Sequence, residues 1–553
     1  MENNRFKRII GIIIISLILV CALVARLYYL NKYDLWYDEL VSDYFSFQNI
    51  SSLANRSGIP VFYILLAIIK MEMNFILYNF LVYFYSFFFG AGNSLRILSV
   101  IFSMFYLGIF YKFSRLFLNH RESIYALLIV AFNPAQIWHA QEATVYTTYY
   151  FLVVLMIYFY IKALKSDRLL YWGCFSTVSI LAVYLNYYSI LLLIVSAVII
   201  FLENNRQYIK RYLLSISIVL ISFLPLLVIF IHHVNIVKNS FWLPVPKLKS
   251  LLFTSAVFNL GYSATLSQHI AGLIIFFILF IYGVYSYYRI DKKNTITLIL
   301  FLFLPIILVY IFSKILFPIY IDRQLLVCAP FYYLFMAKGV AGIKNRVYQI
   351  SVLAVVLLII GSALINYYRG FMLSSKDVNN FRSCNSSDFY IGVHPRKNYS
   401  DLMAGVFEEL KVGDIVTATD IQSYVIFARA LFKRGYTVEN YKGYVFFYPQ
   451  YLSNYEKNIL GINRLLETMQ LTEENELYGM FILPSREHKI EKIQLPNNKF
   501  KRIWVMSSIW DKEGSLGLNS LTVKEYILKN YKETISLEKD GIFLSLYTEK
   551  VPN

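Results

Sequence analysis

The sequence predicts a mainly α-helical membrane protein that crosses the bilayer about 11–13 times and carries a small α/β domain at its C-terminal end. Hydrophobic residues make up 58% of the 553 residues and charged residues 16%, whereas ordinary soluble domains carry about 25% charged residues. Long apolar runs repeat through residues 1–370, and residues 371–553 have the composition of a soluble domain. We therefore expect a polytopic membrane domain at 1–370 and a soluble α/β domain at 371–553.

A helix that spans the bilayer needs roughly 20 mainly apolar residues. The first apolar run, at about 9–30, follows Arg5, Lys7 and Arg8 and has no small-residue cleavage site after it. We interpret this run as a retained anchor and not as a signal peptide. Ten further candidate spans follow, at about 95–117, 122–138, 146–164, 169–186, 188–203, 211–232, 269–289, 295–313, 323–338 and 346–367.

The distribution of basic residues predicts the orientation of these spans. The net charge of +18 comes almost entirely from residues 1–370, which hold 29 Lys and Arg against 12 acids. Most of these basic residues lie in alternate loops, and loops rich in Lys and Arg stay in the cytoplasm. We expect a cytoplasmic N-terminus, an extracytoplasmic C-terminal domain and no nucleic-acid partner. The apolar segment 60–90 must then cross zero times or twice, which predicts interfacial helices or a hairpin.

The tail alternates segments with strand-like and helix-like patterns, which predicts a small α/β domain. The predicted helices lie at 423–435 and 520–531, and the predicted strands at 414–420, 478–484, 502–508 and 541–547.

Acidic residues concentrate directly after the first span. Of the six acids expected on the outer face of residues 1–370, four lie within ten residues: Asp34, Asp38, Glu39 and Asp43. Asp38 and Glu39 are flanked by aromatic and leucine residues, which favour the membrane interface. Carboxylates in such surroundings are costly unless they have a use. A functional role is therefore favoured over the alternative that these acids are solvated loop residues.

The segment "LWYDEL" (35–40), placed after an N-terminal span, resembles the Asp-Glu motif of the family-C (GT-C) membrane glycosyltransferases. This group uses polyprenyl-phosphate sugars and includes the protein O-mannosyltransferases and the lipid A aminoarabinose transferase. The resemblance covers about 1–345, and five further segments match the family in order: "IPVFYILL" (59–66), "GAGNSLRILS" (90–99), "AQEATVY" (140–146), "FWLPVPKLKSLL" (241–252) and "DRQLLVCAPFYYL" (322–334).

The resemblance implies a GT-C fold and the transfer of a hexosyl or pentosyl unit, with inversion, from a polyprenyl-phosphate donor. The acceptor would be a lipid, a glycan or a protein of the cell envelope. In the matched motif Asp38 would be the general base that takes the acceptor's proton. Glu39 would orient Asp38 or act as the base itself.

The other matched motifs imply residues for the donor and the acceptor. Arg96 and Arg323 would bind the donor phosphate, because a guanidinium group fits a phosphate through two hydrogen bonds. Glu142 and Tyr146 of the second acidic loop, with nearby His139, would line the acceptor side. A divalent metal is left open as a cofactor, but we expect no metal ligands among these residues, since one His beside one Glu is a poor site.

Two positions depart from the family pattern. Thr144 stands where the second acidic loop often has an arginine, and Gln324 follows Arg323 where the family usually has a tyrosine. The donor and acceptor assignments depend on these motifs more than the assignment of Asp38 and Glu39 does. Two alternative functions are a lipid-linked sugar transporter or flippase and a polymerase of surface polysaccharides.

Overall fold

In the computed structural model, the described residues are 2–57, 60–61, 76–203, 205–240, 243–372 and 409, together with five strands between 415 and 549. Contacts divide the chain into two compact units. The first unit comprises Met1–Leu30 and Asn74–Pro395, and the second comprises Asn31–Met73 and Arg396–Asn553. The expected domain boundary at residue 370 stays a prediction.

The helices account for nearly all of the described residues before 373. In chain order they are α1 (Glu2–Leu27), α2 (Tyr37–Tyr44), α3 (Phe47–Ser57), α4 (Ile76–Phe89), α5 (Leu95–Ser114), α6 (His120–Phe132), α7 (Pro134–Ala140), α8 (Tyr146–Ser166), α9 (Leu169–Leu185), α10 (Ser189–Glu203), α11 (Arg206–Ser240), α12 (Leu248–Leu260), α13 (Leu266–Tyr288), α14 (Lys292–Ile315), α15 (Asp322–Leu325), α16 (Ala329–Ala341) and α17 (Arg346–Tyr368).

Eight helical segments of the described chain are long and apolar enough to cross a membrane, and α4, α9, α10 and α12 are shorter apolar helices. The eight are Ile9–Leu27, Gly92–Ser114, Tyr146–Ser166, Arg206–Asn235, Leu266–Tyr288, Lys292–Ile315, Asp322–Ala341 and Arg346–Tyr368. The prediction of a mainly α-helical, multi-pass membrane protein is thus confirmed. The count differs from the predicted 11–13 spans partly because α9 and α10 have only 17 and 15 residues.

Two predicted segments differ in detail from the structure. The expected span 122–138 is divided into α6 and α7, because Pro134 has no backbone N–H to continue the first helix and is well suited to begin the next. Within the apolar segment 60–90, helix α4 occupies Ile76–Phe89. Residues 62–75 lie outside the described residues, so the choice between interfacial helices and a hairpin stays a prediction.

Close approach of two helices fixes part of the bundle of the first unit. A Cβ at Gly283 of α13 would lie 1.9 Å from the backbone oxygen of Phe335, and one at Gly339 of α16 would lie 2.0 Å from that of Leu279. No larger side chain fits at either position. Small residues of this kind let helix backbones approach within a membrane, where packing replaces the hydrophobic effect as the main attraction between helices.

The second unit contains a five-stranded sheet in the order β2-β1-β3-β5-β4. Strand β1 pairs with β2 and β3 in parallel, whereas β5 pairs with β3 and β4 in antiparallel orientation. Four consecutive residues of β3, from Ile503 to Met506, are buried, so both faces of this central strand are covered. The strands are β1 (Ile415–Ala418), β2 (Val445–Phe447), β3 (Arg502–Ser508), β4 (Tyr531–Lys539) and β5 (Ile542–Glu549).

Three of the predicted strands, at 414–420, 502–508 and 541–547, correspond to β1, β3 and β5. The predicted strand 478–484, the predicted helix 423–435 and all but the last residue of the predicted helix 520–531 lie outside the described residues. Tyr531, assigned to the end of the second helix, is instead the first residue of β4.

The orientation of the bundle can be tested by labelling. After the native cysteines are replaced by serine, a cysteine at Asn31 should react with an impermeant thiol reagent in intact cells, and one at Asn205 should react only after lysis. Both positions are exposed to solvent, so accessibility does not differ between them, and Asn205 precedes the basic start of α11. The reverse labelling pattern would show that the predicted orientation is wrong.

Candidate functional site

The Asp-Glu segment forms the first turn of the short helix α2 in the second unit. The Oε2 atom of Glu39 accepts a hydrogen bond from the backbone N–H of Trp36 at 3.2 Å, which closes the N-terminal end of the helix. Glu39 is 1% exposed, whereas Asp38 is only half-buried. Acids in this turn also gain from the positive end of the helix dipole. Glu39 therefore has a structural function, and Asp38 is the more accessible carboxylate.

Burial shows which of the four acids could be solvated loop residues, the alternative to a functional role. Asp43 is 4% exposed, and its backbone oxygen accepts a hydrogen bond from the side chain of Asn49 at 2.8 Å. Glu39 and Asp43 are thus enclosed by the protein. Only Asp34 and Asp38 of the four acids keep partial exposure.

In the first unit, helix α7 leads into the second acidic loop (140–146), and Asn133 lies at the break between α6 and α7. The side-chain oxygen of Asn133 accepts from the backbone N–H groups of Ala135 and Gln136, and its nitrogen donates to the backbone oxygens of Phe258 and Asn259. These bonds satisfy helix ends that would otherwise be unpaired in an apolar medium. All seven residues of α7 are buried.

A glycine turn after α12 completes the enclosure of α7. Gly261 has a φ of +68°, and a Cβ at this position would lie 2.7 Å from the backbone nitrogen of Ala135. Only glycine tolerates both the backbone angle and the close contact. The turn places Tyr262 against α7, with its ring centroid 5.5 Å from that of Trp138.

Glu142 lies at the centre of the loop and is 2% exposed. Its Oε1 atom accepts a hydrogen bond from Nε1 of Trp138 at 2.5 Å, and its Oε2 atom lies 3.3 Å from Nδ1 of His139. Hydrogen bonds to a buried carboxylate are shorter and stronger than those between neutral groups. Both oxygens of Glu142 therefore have partners on the preceding helix.

Tyrosine rings surround the imidazole of His139. The centroid of its ring lies 4.9 Å from that of Tyr146, 5.9 Å from that of Tyr150 and 6.1 Å from that of Tyr262. Burial raises the pKa of Tyr262 well above its ordinary value, and the Asp322 carboxylate contributes in the same direction. The phenol of Tyr262 stays protonated and can act as a hydrogen-bond donor.

Arg323 joins the same cluster through the ring of Tyr146. The guanidinium carbon of Arg323 lies 5.3 Å from the centroid of the Tyr146 ring, a cation–π contact. The hydroxyl of Tyr150 donates to the backbone oxygen of Arg323 at 2.8 Å. The structure thus brings together four residues selected from the sequence: His139, Glu142, Tyr146 and Arg323.

Hydrogen bonds on both sides of Arg323 hold its short helix. Thr254 donates through its hydroxyl to the carboxylate of Asp322. Asn186 donates through Nδ2 to the side-chain oxygen of Gln324 at 2.5 Å, and both amides are buried. Gln324, the departure from the family pattern, therefore forms an amide pair that ties α15 to the turn between α9 and α10.

Arg96, selected as a second phosphate-binding residue, is completely buried. Its Nη1 atom donates to the backbone oxygen of Leu30 at 2.8 Å, just beyond the end of α1. Basic side chains commonly bind the carbonyls at helix C-termini in this way. The contact gives Arg96 a structural function, and its role toward a phosphate stays a prediction.

Several residues of this cluster were not selected from the sequence. Trp138 precedes Glu142 by four residues, a helical spacing that was a usable signal. Tyr262 and Asn186 reach the cluster only through the tertiary fold, whereas Gln324 directly follows Arg323 in the sequence. Within the described residues no group of three or more His, Cys, Asp or Glu could hold a metal ion, and His139 with Glu142 supplies two ligand side chains.

Comparison with known proteins identifies the fold. The model of the dolichyl-phosphate-mannose-protein mannosyltransferase family matches residues 75–231. The structure of ArnT from Cupriavidus metallidurans in the apo state superposes with a TM-score of 0.53 at 10% identity, and covers 96% of this chain and 97% of ArnT. This chain has the GT-C glycosyltransferase fold.

A second structure of ArnT from Cupriavidus metallidurans, bound to undecaprenyl phosphate, gives a TM-score of 0.50 at 12% identity with the same coverage. At these identities the likeness is one of fold. No curated protein matches the sequence significantly. The resemblance of the sequence to the family-C glycosyltransferases is confirmed at the level of the GT-C fold, and the roles of the individual site residues stay predictions.

The hydrogen bond between Trp138 and Glu142 can be tested by a matched pair of substitutions. Trp138→Phe should lower the free energy of unfolding by about 1–3 kcal/mol more than Trp172→Phe, because only the first leaves a buried carboxylate short of a donor. Both tryptophans are 3% exposed, and the indole nitrogen of Trp172 has no partner among the described residues. Denaturant unfolding in one detergent measures the difference, and equal losses would contradict the assignment.

Proposed function

We propose that this protein is a glycosyltransferase that moves a hexosyl or pentosyl unit from a polyprenyl-phosphate donor to an acceptor of the cell envelope. The acceptor is a lipid, a glycan or a protein, and transfer takes place at the outer face of the cell membrane. The observation that carries the proposal is the enclosed cluster of Glu142, His139, Tyr146 and Arg323 within a GT-C fold. The match to a mannosyltransferase family and the likeness to ArnT support it.

In the proposed reaction Asp38 is the general base. The acceptor hydroxyl or amine becomes a good nucleophile when a carboxylate within hydrogen-bonding reach takes its proton. The acceptor atom then attacks the anomeric carbon, and the bond between that carbon and the phosphate oxygen breaks. A single displacement of this kind inverts the configuration at the anomeric carbon. The partial exposure of Asp38 and the capping function of Glu39 favour Asp38 as the base.

Arg323 is assigned to the leaving phosphate. A guanidinium group offers two parallel N–H donors to phosphate oxygens and keeps its charge at any relevant pH. Arg323 is half-buried, and bonds to its own backbone, to Asp322 and to Gln324 hold the short helix that carries it. A cation held in place before the reaction stabilises the developing charge without reorganisation. Arg96 is the second candidate for this role.

The acceptor side is assigned to Glu142, His139 and Tyr146. Aromatic rings such as Tyr146 provide apolar faces beside polar groups, a combination that suits ligands with both apolar and hydroxylated surfaces. Because Trp138 and His139 already hold the Glu142 carboxylate, its contribution to an acceptor would be electrostatic. The distribution of Lys and Arg among the loops supports the outer location, because it predicts a C-terminal domain outside the cytoplasm.

The base assignment predicts a ranked series of activities. Asp38→Asn keeps the shape of the side chain but cannot accept the proton, so transfer should fall by about 10²–10⁴-fold. Glu39→Gln should lose less activity and should also lower the stability of α2, by about 0.5–2 kcal/mol, because it weakens the cap. Sugar transfer by purified protein in nanodiscs, with a panel of polyprenyl-phosphate sugars, measures the series.

Asp34→Asn is the matched control, since Asp34 is also partly exposed and lies in the same segment. It should keep most of its activity, whereas the buried Asp43 would be a poor control. An active Asp38→Asn with an inactive Glu39→Gln would move the base by one residue. If both variants stayed active, catalysis by this segment would be rejected, and the transporter hypothesis would become the leading one.

The phosphate assignment predicts different effects of two replacements at one position. Arg323→Ala should weaken donor use by about 10- to 100-fold, the loss expected for hydrogen bonds to a charged group. Arg323→Lys should lie between this variant and the wild type, because lysine keeps the charge but loses the paired donors. Donor affinity and turnover are to be measured for both.

Arg289→Ala is a suitable control for these variants. The guanidinium carbon of Arg289 also lies over a tyrosine ring, 5.7 Å from the centroid of Tyr285, but Arg289 is exposed and lies at the end of α13. Its loss should leave donor use unchanged. Wild-type behaviour of both Arg323 variants would reject the assignment to the phosphate.

A further inference from the structure

The C-terminal end of α1 has an unusual set of hydrogen-bond partners. The last four backbone oxygens of a helix have no partner within the helix. In α1, those of Val24 and Leu27 accept from the following chain, at the N–H groups of Tyr28 and Leu30. Those of Ala25 and Arg26 accept from side chains that lie more than a hundred residues away in the sequence.

The side chain of Gln141 provides most of these distant bonds. Its Nε2 atom lies 2.8 Å from the backbone oxygens of both Arg26 and Tyr28 and 3.3 Å from that of Ala25. Its Oε1 atom accepts from the hydroxyl of Tyr367 at 2.7 Å. Gln141 is 1% exposed, so the strength of these bonds is not reduced by water.

Two further side chains act at the same place. The hydroxyl of Tyr368 donates to the backbone oxygen of Ala25, and Arg96 donates to that of Leu30. We name the four residues Arg96, Gln141, Tyr367 and Tyr368 the α1 clamp. The clamp joins the end of α1 to α5, to α17 and to the second acidic loop, all within the first unit.

A buried arginine strengthens the same junction. Arg26 is completely buried, and its Nη1 atom donates to the backbone oxygen of Ala131 at 2.9 Å, in the last turn of α6. Its Nε atom donates to the hydroxyl of Ser103 at 2.7 Å. A cation at the C-terminal ends of two helices gains from both dipoles. The end of α1 is thus fixed on the side of α6 as well as on the side of Gln141.

We infer that Gln141 is a positioning residue for sugar transfer, which sets the placement of the second acidic loop and of the point where the first outer loop leaves α1. Gln141 directly precedes Glu142, and the chain reaches Asp38 eight residues after Leu30. Both segments need rigid support, because a displacement of the catalytic groups by about 1 Å can lower the reaction rate by on the order of 10²-fold. The inference rests on the proposed function.

The test uses a second glutamine that makes the same kind of bonds elsewhere. Gln349 is 2% exposed, donates to the backbone oxygen of Ala341 at 2.8 Å and accepts from the hydroxyl of Tyr125 at 3.1 Å. Gln141→Leu and Gln349→Leu should therefore lower the thermal midpoint of unfolding to a similar extent. Only Gln141→Leu should lower kcat, by about 10- to 100-fold, while the KM for the polyprenyl-phosphate donor stays close to that of the wild type.

A milder pair of variants covers the case in which Gln141→Leu does not fold. Tyr367→Phe and Tyr125→Phe each remove one hydroxyl that donates to a glutamine and keep the ring. The first should lower kcat and the second should not. Equal turnover within each pair of variants would overturn the inference. An Asp38→Asn variant with full activity would reject the proposed base, whatever the Gln141 variants show, so the two failures can be told apart.

Discussion

The need to pair every backbone polar group in an apolar medium governs this structure. Within a bilayer an unpaired N–H or carbonyl group costs several kcal/mol, so helix ends must find partners inside the protein. Asn133 satisfies the start of α7 and bonds to the end of α12, and Gln141 and Tyr368 satisfy the end of α1. The second acidic loop of the candidate site adjoins these satisfied helix ends. The hydrogen bonds that satisfy the backbone groups of these helix ends also hold the ends in fixed positions.

The second acidic loop illustrates this rigidity in the candidate site. Helix α7 has only 7 residues, about two turns of α-helix, and all of it is buried. Its last turn presents Trp138 and His139 to the carboxylate of Glu142, and the tyrosines of α8 and the Gly261 turn enclose the imidazole. A buried carboxyl group with two neighbouring partners has a defined position. A preorganised group of this kind suits the proposed role beside the acceptor, because preorganised groups stabilise a transition state with little reorganisation.

Much of the fold followed from the sequence. The apolar runs located the long helices, since length and composition suffice to recognise a span, and strand-like patterns located β1, β3 and β5. Strand β4 was not predicted, and its first residue was assigned to a helix. Strands β4 and β5 form a hairpin that closes at Lys539 and Ile542, so the Asp540-Gly541 pair between them was a usable local signal. The division of the expected span 122–138 was signalled by Pro134, although apolar composition alone favoured one continuous helix.

The sequence by itself determined that this is a multi-pass membrane protein with the ordered motifs of a GT-C fold. It also selected His139, Glu142, Tyr146 and Arg323, because short spacing on one loop and a matched motif are local properties. Only the tertiary structure decided that Tyr262 encloses His139, that Gln324 pairs with Asn186, and that Gln141 holds the end of α1. These contacts join residues about 115–140 positions apart. No pattern of hydrophobicity or spacing encodes such pairs, because they arise from the packing of whole helices.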